Sequence, residues 1–126
     1  MMGTLVDPPE TVESLPFHAA AAEGRFLIRR CTDCGRAHWY PRVFCPFCAG
    51  ATEWEEASGR GTLFTWSTMV RADTPYTLAY VTLAEGPTMM TNIVECDPPT
   101  LTVGQAMELV FDRSPDGTAI PCFRPG

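Results

Sequence analysis

The sequence predicts a mainly β protein: a short N-terminal helix, a ribbon held by cysteines, and a C-terminal barrel of five strands. Three observations carry that expectation. Two Cys-x-x-Cys pairs, Cys31 with Cys34 and Cys45 with Cys48, are separated by ten residues. After residue 58, five short runs rich in β-branched and aromatic residues are punctuated by turn residues. The chain also spends 12 prolines and 10 glycines on only 126 residues, which breaks up long helices and favours strands joined by tight turns.

Residues 1–13 read as a flexible acidic arm marked by Pro8-Pro9. Residues 14–25 read as a docking helix. Ser14 is placed to cap it, Pro16 falls early where its missing N–H costs nothing, and Gly24 supplies a left-handed stop. Phe17, Ala20 and Ala21 share one side. So short a helix is marginal alone and must pack on its own domain or on a partner. Residues 26–57 form the ribbon: Phe26–Arg30 is a strand leading into Cys31, Arg36–Val43 is strand material between the cysteine pairs, and the stretch after Gly50 prepares the next strand.

The barrel occupies residues 58–126. Its first strand, residues 61–70, alternates Leu63, Thr65, Ser67 and Met69 on one side with Phe64, Trp66, Thr68 and Val70 on the other. Strands at 76–84, 88–95, 106–111 and 119–124 follow, separated by Asp73-Thr74-Pro75, Glu85-Gly86-Pro87, Asp97-Pro98-Pro99 and Ser114-Pro115-Asp116-Gly117. With no room for crossover helices the sheet should be antiparallel, and closing it removes exposed edges.

Two Cys-x-x-Cys knuckles this close together can set four sulfurs at the corners of a tetrahedron around zinc. Gly35 and Gly50 would free the backbone to turn toward the metal. Iron in the same cage, or two redox pairs, are the alternatives. Redox pairs sit at the start of a helix after a strand, which this proline-rich context does not offer. Four thiolates fill the metal's coordination shell, so the site reads as structural. Cys96 and Cys122 read as small buried hydrophobes, and His38 as a surface or packing residue.

The chain carries a formal charge of −6 and contains no lysine. Five arginines against one acid fall between Arg25 and Arg42, while the remainder is acidic. A barrel with exposed aromatics invites a single-stranded nucleic-acid reading, but a polyanion gains affinity chiefly from neutralised phosphates, which an acidic barrel opposes. Arginines in the ribbon suit a ligand with a few phosphates, or simply offset the −2 of four thiolates on one zinc ion. No nucleophile elbow, P-loop or dinucleotide fingerprint is present, and Glu55-Glu56 are adjacent strand residues that point to opposite faces. No apolar run approaches the roughly 20 residues of a membrane span. The first residues lack the pattern of a signal peptide, so the expected location is cytoplasmic.

Taken in order, the motifs resemble one family. They are Phe17 through Gly24, Cys31-x2-Cys34-Gly35, Pro41-Arg42 before Cys45-Pro46-x-Cys48, Ser58-Gly59-Arg60-Gly61-Thr62, Asn92 through Asp97, Val103-Gly104, and Pro121-x-Phe123-Arg124-Pro125. The chain resembles the acyl-CoA-associated OB-fold proteins, which join an N-terminal helix and a rubredoxin-like zinc ribbon to a C-terminal five-stranded OB-fold barrel. The resemblance implies zinc ligation by Cys31, Cys34, Cys45 and Cys48 and a non-catalytic accessory role in an acyl-CoA-processing complex. The partner implied is a thiolase, a thiolase-like aldolase or an acyltransferase subunit, or alternatively a MaoC-like enoyl-CoA hydratase. Acyl-CoA is then an expected ligand, with Arg42 and Arg60 as phosphate contacts and Trp66 as a surface on which adenine stacks.

Overall fold

The computed structural model describes residues 11–71 and 73–126. The acidic arm expected over 1–13 therefore lies, apart from its last three residues, outside the described residues. Helix α1 (Leu15–Ala22) buries Phe17, Ala20 and Ala21 as expected. Its end is a Schellman motif: the N–H groups of Gly24 and Arg25 donate to the carbonyls of Ala21 and Ala20 at 2.9 Å each. Ser14 stands at the N-cap position, but its hydroxyl exchanges hydrogen bonds with the backbone of Thr11 and caps no helix N–H. The helix docks on its own chain, with the Phe17 ring edge-on to Trp39 at 5.2 Å and to Phe26 at 6.2 Å.

The ribbon sheet has the order β2-β1-β3, with β1 at Leu27–Cys31, β2 at Ala37–His38 and β3 at Thr52–Glu56. Both ladders are antiparallel. The strand expected over Arg36–Val43 is reduced to the two residues of β2. Pro41 has no N–H for a ladder, and the chain must turn there toward the second cysteine pair.

Strands β4 (Arg60–Met69), β5 (Tyr76–Leu83), β6 (Thr88–Ile93), β7 (Ala106–Arg113) and β8 (Ala119–Pro125) close into a barrel in the order β4-β5-β6-β8-β7. Two details depart from the expectation. The seam joining β6 to β8 is parallel, formed at Ile93 and Phe123, with the Val94 N–H donating to the Phe123 carbonyl at 2.8 Å. And β4 carries a bulge between Leu63 and Thr65 that shifts its register against β5. One extra residue reverses the alternation beyond it, so Leu63 and Trp66 share the inner side while Phe64 is exposed.

Along β5 and β6 the alternation is regular. Thr77, Ala79, Val81 and Leu83, and Met89, Thr91 and Ile93, point inward. Residues on both sides of the expected boundary at 57/58 build one hydrophobic cluster: Phe17, Phe26, Ile28 and Ala37 pack with Leu63, Val81, Met107 and Phe123. Where β4 is clamped between β5 and β7, a Cβ on Gly61 would stand 2.6 Å from the Thr82 carbonyl oxygen and 2.8 Å from Val81. Gly61→Val is therefore expected to cost about 2 kcal/mol or more, since backbone cannot step aside as a flexible side chain can. Urea unfolding reads the cost; an unshifted midpoint would contradict so close an approach of the strands.

Candidate metal centre

The four cysteines of the two knuckles converge. Their sulfurs all lie within 4.8 Å of one another, with Cys31 and Cys48 at 3.5 Å and Cys34 and Cys45 at 3.7 Å. A zinc ion with Zn–S bonds of about 2.3 Å needs sulfur–sulfur edges of about 3.8 Å. The donor set fits zinc.

The two knuckles are built alike. The Cys31 N–H donates to the Arg36 carbonyl at 2.9 Å, and the Cys45 N–H to the Gly50 carbonyl at 2.8 Å, each closing a loop of the same length. The residue after each second cysteine is left-handed: Gly35 at φ 76° and Ala49 at φ 65°. The turn expected of Gly50 is thus made one residue earlier, by an alanine. Gly50 serves another need, because a Cβ there would run into the Asp33 carboxylate. Inward-pointing amides hold the sulfurs. Asp33 and Cys34 donate N–H bonds to Cys31 Sγ, and Phe47 donates to Cys45 Sγ, each at 3.3 Å.

These amides favour a thiolate. The Cys34 N–H, with that of Asp33 and the neighbouring thiols, lowers the pKa of Cys31 to about 6 against an opposing effect of burial. Cys48 moves the other way, to about 12. The Gly50 backbone would lower it, but the sulfur of Cys31, together with burial and the sulfurs of Cys34 and Cys45, prevails. Four sulfurs cannot all ionise in one another's presence without a cation among them. Zinc supplies that charge, and its binding releases the remaining protons.

The other two cysteines stand apart from the cage. Cys122 is fully buried in β8, and burial pushes its thiol to about 12. Burial likewise raises Cys96, whose Sγ lies 3.9 Å from the Ile93 carbonyl. Neither has the character of a nucleophile.

Most of the ribbon's arginines are engaged. Arg30 grips both oxygens of Glu55 at 2.9 Å and donates to the Gly35 carbonyl beside the first knuckle. Arg25 pairs with Glu23 and Glu56. Arg29 bonds Thr52 and lies over Trp54 at 4.6 Å, and Arg36 lies over Phe47 at 4.9 Å. Glu55 and Glu56 thus face different arginines and share no proton.

Arg42, Arg60 and Trp66 are not brought together. Arg42 is exposed, in a groove with Arg29, Val43 and Trp54. Arg60 is exposed at the rim of a different groove, across the ladder from Glu108. Trp66, turned inward by the bulge, packs half-buried against the core. The spacing of the sequence held no signal for this separation, because Arg42 lies in the loop between β2 and β3 while Arg60 and Trp66 lie on β4 on either side of its bulge.

His38 is buried at 6% exposure, and among the described residues neither ring nitrogen makes a well-formed hydrogen bond, the Arg42 backbone being the polar group that favours its protonated form. Burial first, then the charge of Arg29, lowers its pKa below the ordinary value. The unfolded chain then takes up a proton that the folded chain refuses, so stability is present above the ordinary pKa of about 6.5 and declines as pH falls below it. His38→Leu is expected to remove up to about 1.4 kcal/mol per pH unit of that slope. Parallel urea titrations between pH 7 and 5 test this; identical slopes for the two proteins would refute it.

Comparison with known proteins gives this geometry its relatives. Residues 18–55 match the rubredoxin-like zinc ribbon domain of ChsH2, and residues 54–112 match the ChsH2 C-terminal OB-fold domain. A DUF35 domain-containing scaffold protein of Methanocaldococcus jannaschii is 36% identical over 92 residues, covering 67% of this chain and 65% of that protein. A probable enoyl-CoA hydratase alpha subunit of Thermomonospora curvata is 30% identical over 113 residues, covering 84% of this chain but 35% of its own length. The match thus spans about two thirds of the first relative and about one third of the second. Among solved structures, the Ltp2-ChsH2(DUF35) aldolase superposes with a TM-score of 0.81 at 26% identity, covering 94% of this chain and 98% of the matched one. With its paired cysteine knuckles running directly into a closed five-stranded barrel, the chain belongs to the DUF35 family, here a ChsH2-like rubredoxin-like zinc ribbon joined to a ChsH2-like OB-fold domain.

Proposed function

We propose that this chain is a non-catalytic accessory subunit of an acyl-CoA-processing complex, working beside a thiolase-like aldolase subunit. The observation that carries the reading is the near end-to-end likeness to the ChsH2(DUF35) chain of an aldolase. The chemistry of the site agrees with it. Four thiolates use every position on a tetrahedral zinc and leave none for a substrate or a reactive water, so the metal holds structure. The likeness to a hydratase alpha subunit favours a MaoC-like hydratase as the second candidate partner.

No helix among the described residues is long and apolar enough to cross a membrane, and the reduced thiols that zinc requires suit the cytosol as the working compartment. A long nucleic acid suits the surface poorly, because the chain is acidic and most ribbon arginines already have partners.

Affinity purification from the native host, with partners identified by mass spectrometry, tests the reading. An aldolase, thiolase-family or hydratase subunit is expected in stoichiometric amount. A lone monomer, or acyl-CoA turnover by the purified chain itself, would overturn it.

Acyl-CoA contact is part of the same proposal. Arg42 and Arg60 are the phosphate contacts, acting at separate grooves, and Trp66 has only part of its indole free to meet adenine. Arg42→Ala and Arg60→Ala are expected to weaken CoA binding by the complex several-fold, in line with about 1 kcal/mol for a partly exposed charged hydrogen bond, with zinc content unchanged. Calorimetry with CoA reads the effect, and unaltered affinity in both variants would return these arginines to ordinary solvated charge.

A further inference from the structure

Strands β4, β5 and β6 are conspicuous for what they lack. Between Gly61 and Met69, Tyr76 and Leu83, and Thr88 and Ile93, none of 23 residues is charged, in a chain that is 19% charged overall. The ion pairs of the described residues lie elsewhere: Arg25 with Glu23 and Glu56, Arg30 with Glu55, and Arg124 with Glu95 and Glu108. Depletion of charge, with aromatic and methionine side chains in its place, is the compositional mark of an interface centre.

The strand register arranges the exposed side chains of this face in a row. Tyr80 faces Met90 directly across β5 and β6, and Phe64 is the extra residue of the bulge, next to Thr65, the β4 partner of Tyr80. Their exposures are 62% for Phe64, 45% for Tyr80 and 55% for Met90. One exposed apolar residue needs no explanation; three in line on an uncharged sheet do. The bulge contributes directly, since it turns Trp66 inward while leaving Phe64 outside.

At the β6 end the row runs into a cleft of about 220 Å³. Met90 is part of its wall, with Phe17 of α1, Trp39 and Tyr40 of the ribbon, and Pro121 of β8. Among the described residues no acid or arginine lines it, His18 being its one ionisable imidazole. The volume is below the roughly 300–1,000 Å³ of small-molecule pockets and suits one inserted apolar side chain.

We propose that the β4-β5-β6 face and this cleft form the docking surface for the partner enzyme subunit, which presents a charge-poor apolar face and anchors one bulky side chain in the cleft. The proposal rests on the accessory-subunit reading above. The occupant follows from that reading, since the matched aldolase pairs ChsH2(DUF35) with a second protein, Ltp2, whereas a second copy of this chain would bring together two bodies of −6 each.

The test is purification of the tagged full chain from its native host, comparing wild type with Met90→Arg, Phe64→Asp and, on the ribbon sheet, Glu53→Arg. Zinc content and melting midpoint confirm that each variant is folded. Wild type is expected to bring down an acyl-CoA enzyme subunit identified by mass spectrometry. Met90→Arg and Phe64→Asp should each reduce its recovery at least about tenfold, as loss of a central anchor does, and Glu53→Arg should leave it unchanged. If a charged variant loses its zinc, Met90→Ala and Phe64→Ala take its place, with a several-fold loss expected. Partner recovery undiminished by every variant overturns this surface and leaves the accessory-subunit reading standing. Wild type emerging alone overturns both. Sedimentation as a dimer that Met90→Arg splits into monomers, with no enzyme attached, would assign the face to a second copy and overturn the proposal.

Discussion

Cys31→Ser is expected to yield protein without stoichiometric zinc, its ribbon unfolded and its melting transition lowered or lost. Cys31 is buried, ends β1, and accepts two amide hydrogen bonds at its sulfur. A serine hydroxyl is a poor zinc ligand, and the three remaining thiolates would have to close the site around an exposed metal. Structural zinc of this kind contributes on the order of 10–16 kcal/mol at neutral pH, as much as the entire stability of an ordinary domain at about 5–15 kcal/mol. The loss should also spread. Phe26, Ile28, Ala37 and Ala57 of the ribbon share a cluster with barrel residues, and Trp39 supports helix α1 through Phe17. Metal analysis and circular dichroism read the outcome, with Cys96→Ser as the control that keeps its zinc. Full zinc and an unchanged melt in Cys31→Ser would remove the basis of the fold assignment.

Phe123→Ala is the second large effect, expected at about 3–5 kcal/mol from lost burial and the cavity left behind. Phe123 has no exposed surface, and its strand meets Leu109 of β7 on one side and Ile93 of β6 on the other. It therefore packs where the barrel closes, at the single parallel step. A loss of that size corresponds to a fall of roughly 10–20 °C in a domain of this length. The zinc should remain bound in the folded fraction, because the sulfur cage lies in the other sheet. Thermal unfolding beside metal analysis checks both halves; a shift below about 1 kcal/mol would mean that the seam does not depend on this ring.

These two residues mark how far the sequence could be read. The cysteine spacing announced the metal site because ligand geometry is local: each pair is one tight knuckle, and only four sulfurs satisfy a tetrahedron. Strand limits in the barrel were legible for the same reason, with Tyr76–Leu83 and Thr88–Ile93 observed where 76–84 and 88–95 were expected. The misreadings have mixed causes. The bulge at Leu63/Thr65 answers to β5, and Gly50 stays small for the distant Asp33 while Ala49 makes the knuckle's turn; the two-residue β2 is cut short locally by Pro41. Regular alternation puts Trp66 on the same side as Phe64, and one extra residue separates them.

The sequence by itself determined the four zinc ligands, the order of helix, ribbon and barrel, and the absence of charge along three strands beyond Arg60. Those are properties of residue type and spacing, which need no partner to be expressed. Tertiary structure alone decided that ribbon and barrel share one interior, that Arg42, Arg60 and Trp66 stand apart, and that Phe64, Tyr80 and Met90 form a row beside a cleft. Register across a closed barrel sets those relations. It is selected by the packing of all five strands together, and no single segment contains it.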